Sequence, residues 1–145
     1  MILLFIYRTV VLASTEVCTF LVHTECVPRF IMKKYNIKAN KNLGQNFLIN
    51  EEVVTNIVEC SNIDKQDLVI EIGPGLGTLT KYLLEKAGKV ICIELDTKML
   101  QILEDRFSLY NNFELINNDV LKVDLKNIIE KEKAEGKIKN VCEIS

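Results

Sequence analysis

From residue 50 onward the chain switches repeatedly between two hydrophobic periods, and each switch marks a new element. Val53, Val54, Ile57 and Val58 recur at helical spacing behind Asn50, Glu51 and Glu52. The pattern predicts an amphipathic helix capped by Asn50, with two acids at its positive end. Leu68-Val69-Ile70-Glu71-Ile72 is a short apolar run that stops at Gly73-Pro74-Gly75, as a strand buried on both faces does. A second helix is predicted from Thr78, acting as its cap, with Leu79, Tyr82 and Leu83 inward and Gly88 as terminator. Val90 to Leu95 reads as a second buried strand. A helix from about Thr97 to Phe107 follows, with Asp96 near its start and a core stripe of Met99, Leu103 and Phe107. Phe113 to Asn117 is a third strand, and Asn117-Asn118-Asp119 turns out of it. Leu125 to Lys133 reads as a charged surface helix or linker, and Ile138 to Cys142 opens a fourth strand. Strands alternating with helices predict a parallel α/β sheet with right-handed crossovers.

Open parallel sheets bind ligands beyond the carboxyl ends of their strands. Three polar features fall there: the glycine loop, Glu94 at the end of the second strand, and Asp119 after the third. Gly73, Gly75 and Gly77 leave no side chain between backbone and ligand and permit a tight left-handed turn. Glu94 suits the two hydroxyls of a ribose, and Asp119 suits an adenine exocyclic amine. Leu95 and Val120, beside these acids, suit the two faces of a purine. A plain turn also explains a glycine triplet, and a cap or turn acid explains Glu94 or Asp119 alone. The combination carries the reading of an adenosine site. A dinucleotide fingerprint would place a third glycine where Thr78 stands.

Composition narrows the partners. A chain of 145 residues, 48% hydrophobic and 26% charged, fits one globular domain with a buried core. A net charge of -2 offers no overall attraction to nucleic acid, so any RNA contact needs a local patch. Lys33, Lys34, Lys38 and Lys41, with no acid among them, form either such a patch or a solvated face. The 5 cysteines are odd in number and lack a Cys-x-x-Cys pair. That points away from a disulfide framework or a metal site and toward reduced thiols in a cytoplasm, with Cys92 a small buried hydrophobe. Residues 1–31 are apolar but interrupted by Arg8, Glu16, His23 and Glu25. Their longest clean run, Ile2 to Tyr7, falls far short of the roughly 20 residues a spanning helix needs. No basic residue precedes that run, as one would in a signal peptide. With Met32-Lys33-Lys34 a plausible start, residues 1–31 read as a divergent or spurious extension, expected to be dispensable.

Two motifs carry a family resemblance. Glu71-Ile72-Gly73-Pro74-Gly75-Leu76-Gly77 resembles the Glu-x-Gly-x-Gly-x-Gly motif of S-adenosylmethionine-dependent methyltransferases. Upstream, Leu43-Gly44-Gln45-Asn46-Phe47-Leu48 resembles the Gly-Gln-Asn-Phe-Leu motif of ribosomal RNA adenine dimethyltransferases. The resemblance implies a Rossmann-like methyltransferase fold, with residues 32–145 as the N-terminal, cofactor-binding part of the domain. It implies that Asn46 and Leu48 contact S-adenosylmethionine together with Gly73, Gly75, Gly77, Glu94, Leu95, Asp119 and Val120. The Leu-Gly-Gln-Asn-Phe-Leu form and Gly75-Leu76-Gly77-Thr78-Leu79-Thr80 look more like the small-subunit (16S) branch, which dimethylates adenosine N6. The partner is then small-subunit ribosomal RNA or its precursor, and the protein a cytoplasmic monomer with neither metal nor membrane attachment. The alternatives are the macrolide-resistance branch, acting on large-subunit RNA, and a ribosome assembly factor that keeps the site without the chemistry.

The family activates its target amine with an Asn-Leu-Pro-Tyr-like segment after the fourth strand. Here that strand leads into Glu143-Ile144-Ser145. Asn140 precedes the apolar strand residues and lacks the Pro and aromatic neighbours, so it is no substitute. No catalytic residue is therefore assigned, and the helical C-terminal domain of the family is expected to be missing. The expectations are a fold truncated after about the fourth strand, with that strand's apolar edge bare, and no methyl transfer by these residues alone.

Overall fold

The computed structural model describes residues 9–12, 17–19, 29–37, 51–136 and 138–145. Two short strands come first, β1 (Thr9–Leu12) and β2 (Val17–Thr19), followed by helices α1 (Arg29–Lys34) and α2 (Glu51–Cys60). The alternating part runs β3 (Asp67–Ile72), α3 (Thr78–Lys86), β4 (Lys89–Glu94), α4 (Thr97–Phe107) and β5 (Phe113–Asn117). A 3-10 turn (Val120–Lys122), α5 (Leu125–Ala134) and β6 (Asn140–Ile144) complete it. The sheet order is β2-β1-β6-β3-β4-β5. β6, β3, β4 and β5 are mutually parallel, as the strand-helix alternation predicts.

The near-continuous apolar strands arise because helices cover both faces of the sheet. Val69, Val90, Cys92 and Cys142 point into one core with Val54 and Ile57 of α2, Leu79 and Leu83 of α3, and Leu103 and Phe107 of α4. Leu68, Ile70, Ile91 and Ile93 point into the other, closed by Ile128 and Ile129 of α5. Glu132 anchors α5 to the sheet: it is buried and its Oε1 accepts a 2.5 Å hydrogen bond from Lys89 Nζ, which also lies 2.8 Å from Glu114 Oε2. A third cluster joins Leu76, Met99 and Ile102 to Ile31, Met32 and Tyr35. Met99 is thus core, as its spacing predicts. The boundary proposed at 31/32 falls inside α1, since Ile31 and Met32 pack side by side on the same cluster.

Three expectations need correction. Thr78 does not cap α3: Gly77 occupies the N-cap position at φ +74 without a side-chain cap bond, and Thr78 is the first helical residue. Gly88 does not end α3 by a left-handed turn, since the chain leaves through Ala87 in extended conformation. A Cβ at Gly88 would lie 2.3 Å from the Lys65 carbonyl oxygen, so close backbone approach selects the glycine. The outer edge of β6 is also not bare. β1 lies antiparallel along it, with Val11 opposite Glu143 and Leu12 opposite Cys142. An apolar edge strand leaves backbone donors and acceptors to satisfy, and the β-branched Thr9-Val10-Val11 run supplies a partner. The described residues contain no helix long and apolar enough to cross a membrane.

Candidate functional site

The parallel strands β3, β4 and β5 end side by side, and the candidate residues follow directly from those ends. β3 runs into the loop of Gly73, Gly75 and Gly77, all left-handed at φ +66, +57 and +74. The loop is tied down by backbone bonds from Gly73 N to Ile93 O (2.9 Å) and from Gly77 N to Pro74 O (2.9 Å). The outer two glycines serve different ends. A Cβ at Gly73 would meet nothing within 4 Å, so open space lies in front of that turn. A Cβ at Gly77 would lie 2.4 Å from Phe107 Cε2, so this glycine admits the ring of α4 rather than a ligand.

Glu94, the last residue of β4, is 7% exposed. Its Oε2 accepts from the Gly75 amide (3.2 Å) and its Oε1 from the Asp96 amide (2.9 Å). The carboxyl group therefore bridges the glycine loop and the start of α4. Burial pushes its pKa up from the ordinary value, against the opposing pull of the backbone donors. Leu95 follows at 57% exposure, an apolar platform at the mouth of the site. Asp96 caps α4 by accepting from the Lys98 amide (2.9 Å).

Asp119 sits just beyond β5 and spends Oδ1 on the Leu121 amide (3.0 Å), capping the 3-10 turn. The turn-acid role is thus real, and it leaves the second carboxylate oxygen for another donor. Val120 packs against the core cluster of Leu68 and Ile70 and is half-buried, while Leu121 beside it is 91% exposed. The structure thus joins Gly75 to Glu94 directly and sets Leu95 and Asp119 on adjacent strand ends. Asn46 and Leu48, with Lys38 and Lys41, lie outside the described residues. Lys33 and Lys34 are exposed on α1, and Lys34 Nζ donates to the Tyr35 hydroxyl (3.1 Å).

Three further residues shape this region without having been read from the sequence. Asn117 Nδ2 donates to the Glu94 carbonyl (2.8 Å) and reaches the Leu95 carbonyl (3.4 Å), stitching the ends of β4 and β5. Arg106, half-buried on α4, donates from Nη1 to the Leu76 carbonyl, holding the glycine loop from outside. Thr80 Oγ1 donates to Glu71 Oε2 (2.7 Å) beneath the loop. Only the position of Asn117, paired with Glu94 across two strand ends, could have flagged it from sequence. The other two are partnerships across the fold with no local signature.

Residues 36–145 match the model of the ribosomal RNA adenine dimethylase family. A ribosomal RNA small subunit methyltransferase A of Clostridium botulinum is 55% identical over 100 residues, covering 69% of this chain and 36% of the relative. Among solved structures, a dimethyladenosine transferase from Plasmodium falciparum superposes with a TM-score of 0.50 at 36% identity, covering 54% of this chain and 29% of the other. The 23S rRNA methyltransferase ErmE gives 0.51 at 32% identity, covering 54% and 32%. The chain spans between 36% and 41% of the length of the curated relatives it matches.

Proposed function

Because this chain belongs to the ribosomal RNA adenine dimethylase family, we propose that it forms the S-adenosylmethionine-binding part of an enzyme dimethylating adenosine N6 in small-subunit ribosomal RNA. The observation that carries the proposal is the buried Glu94 carboxyl, held at a strand end by the Gly75 and Asp96 amides. A group so fixed, beside an open glycine turn and an exposed Leu95, suits a vicinal diol attached to a purine. The residues present fit the cofactor. Gly73 leaves clear space, Glu94 offers acceptors to the ribose hydroxyls, and Leu95 offers a face to the adenine. Asp119 accepts from the adenine amine, and Val120, half-buried, forms the floor. The start of α3, without a side-chain cap, favours the negative charge of the amino-acid carboxylate. By the resemblance of the upstream motif, Asn46 and Leu48 are taken as further cofactor contacts.

When bound, S-adenosylmethionine supplies a methyl group on a sulfonium to an amine brought in line with it. This chain's residues orient that donor and exclude water from its adenosine, which is positioning rather than proton transfer. The exposed Lys33 and Lys34 offer positive charge for RNA phosphate. The small-subunit target is preferred over the large-subunit one because the curated relatives at 50–55% identity are named for the small subunit.

The proposal is tested by calorimetric titration of the chain with S-adenosylhomocysteine and, separately, with NAD. Binding of the first and not the second is expected; the reverse result, or no binding, would sink it. The branch is tested by methyl transfer to under-methylated small and large subunits. That assay uses the chain joined to the segments its relatives carry beyond the matched portion.

A further inference from the structure

The glycine loop poses a mechanical problem. Three left-handed glycines in a stretch of five residues make a segment with little conformational preference of its own. The end of β3 and the start of α3 must nevertheless keep a fixed separation if the loop is to present one shape to a ligand. Backbone bonds hold points within the loop, but Glu71 and Thr80 stand on opposite sides of it. They are 3% and 0% exposed, and the 2.7 Å hydrogen bond between them closes the loop at its base. Cys92 Sγ donates to the same Oε2 at 3.6 Å, steadying the acceptor from β4.

The direction of the Thr80 hydroxyl is itself informative. A threonine inside a helix commonly turns its hydroxyl back on the carbonyl four residues earlier. Thr80 is the third residue of α3, so that carbonyl would be Leu76, which precedes the N-cap Gly77 and lies outside the helix. The hydroxyl instead reaches across to the strand.

We propose that Thr80 and Glu71 are a buried positioning pair, which sets the glycine loop and the start of α3 for the amino-acid tail of S-adenosylmethionine without touching it. The inference rests on the proposed cofactor reading. The adenosine half is held from the ends of β4 and β5 by Glu94, Leu95 and Asp119, of which only Glu94 touches the loop, through the Gly75 amide. Loosening the pair therefore weakens the tail's contacts selectively, by lowering the fraction of molecules whose loop is ready to bind.

The test uses the full chain with Thr80→Val and Thr80→Ser, titrated with S-adenosylhomocysteine and with adenosine. Thr80→Val, nearly isosteric, should lose about tenfold or more in affinity for S-adenosylhomocysteine, with adenosine changed by less than threefold. Thr80→Ser, which keeps the hydroxyl, should bind both like the parent. Equal losses for the two ligands, or failure of serine to rescue, would overturn the pair's positioning role. A second measurement needs no variant: hydrogen exchange of the unsubstituted chain. The amides of Gly73, Gly75 and Gly77 should open together with the first turn of α3, and independent opening would also overturn the proposal. If the unsubstituted chain binds neither ligand, the cofactor reading fails and takes the pair with it. If it binds both and Thr80→Val changes nothing, the pair alone fails.

Discussion

Replacing Glu94 by glutamine should separate what this residue does for a ligand from what it does for the fold. The carboxyl accepts two backbone N–H bonds on different oxygens, from Gly75 at 3.2 Å and from Asp96 at 2.9 Å. Glutamine has one oxygen, so one amide must face its NH2 group, and one acceptor for the ribose is lost with the charge. Hydrogen bonds to a charged group contribute about 1.5–3 kcal/mol, so S-adenosylhomocysteine affinity should fall roughly ten- to 150-fold. Glu94→Ala should lie at the upper end. Stability should move much less. Burial raises the folded-state pKa of Glu94, so the ionised group costs stability at neutral pH, and that cost vanishes as pH falls through the raised pKa. Glutamine removes the cost but forfeits a backbone bond of about 1 kcal/mol, so the two effects oppose each other. The same shift sets the pH dependence of binding: affinity should decline on acidification from a higher pH than an ordinary carboxylate would give. Calorimetry across a pH series, with urea melts of the unliganded chains, checks all three. Glutamine affinity within twofold of the parent would remove Glu94 from the site.

Gly77→Ala forces a Cβ against the Phe107 ring at a left-handed φ and should cost about 2–4 kcal/mol in a urea melt, partly relieved by Phe107→Leu. Arg106→Met keeps most of the packing but releases the Leu76 carbonyl, and should cost about 1–2 kcal/mol while weakening S-adenosylhomocysteine binding. Deleting residues 1–19 bares the outer edge of β6; gel filtration should show association, with ligand binding kept. A monomer after deletion would mean β1 does not guard that edge and would favour the dispensable reading of this segment.

Much of this architecture was legible because both periods are strong. The runs at 68–72 and 90–95 are too apolar for a strand with a wet face, and the stripes of α2 and α4 repeat cleanly. The placement of the candidate residues was legible where they follow a strand end, as Gly73, Glu94 and Asp119 do. Legibility failed where the deciding contact is distant in sequence. Thr78 looks like a cap by composition, but Gly77 had to be small for Phe107 and so took the cap position. Gly88 looks like a terminator, yet Lys65 selects it. The Thr9–Leu12 strand was hidden because its stability comes from a partner at the other end of the chain. Thr80, an unremarkable helical threonine by pattern, acquires meaning only once its hydroxyl is seen on Glu71 across the loop.

The order of the strands has a consequence for how such a chain comes together during synthesis. β3, β4 and β5 each pair with the strand just before or after them, so the region around the glycine loop, Glu94 and Asp119 closes through single-helix crossovers. β6 returns across α5 to the far side of β3, and the antiparallel pair of β1 and β2 has no place on the sheet until β6 is seated. Low contact order favours early formation, and long-range pairing waits. The ligand-facing ends of the sheet are therefore assembled before its opposite margin. During that interval the first hairpin to be made is the last to be seated, and until then the edge of β1 that β6 will cover is open to another nascent chain.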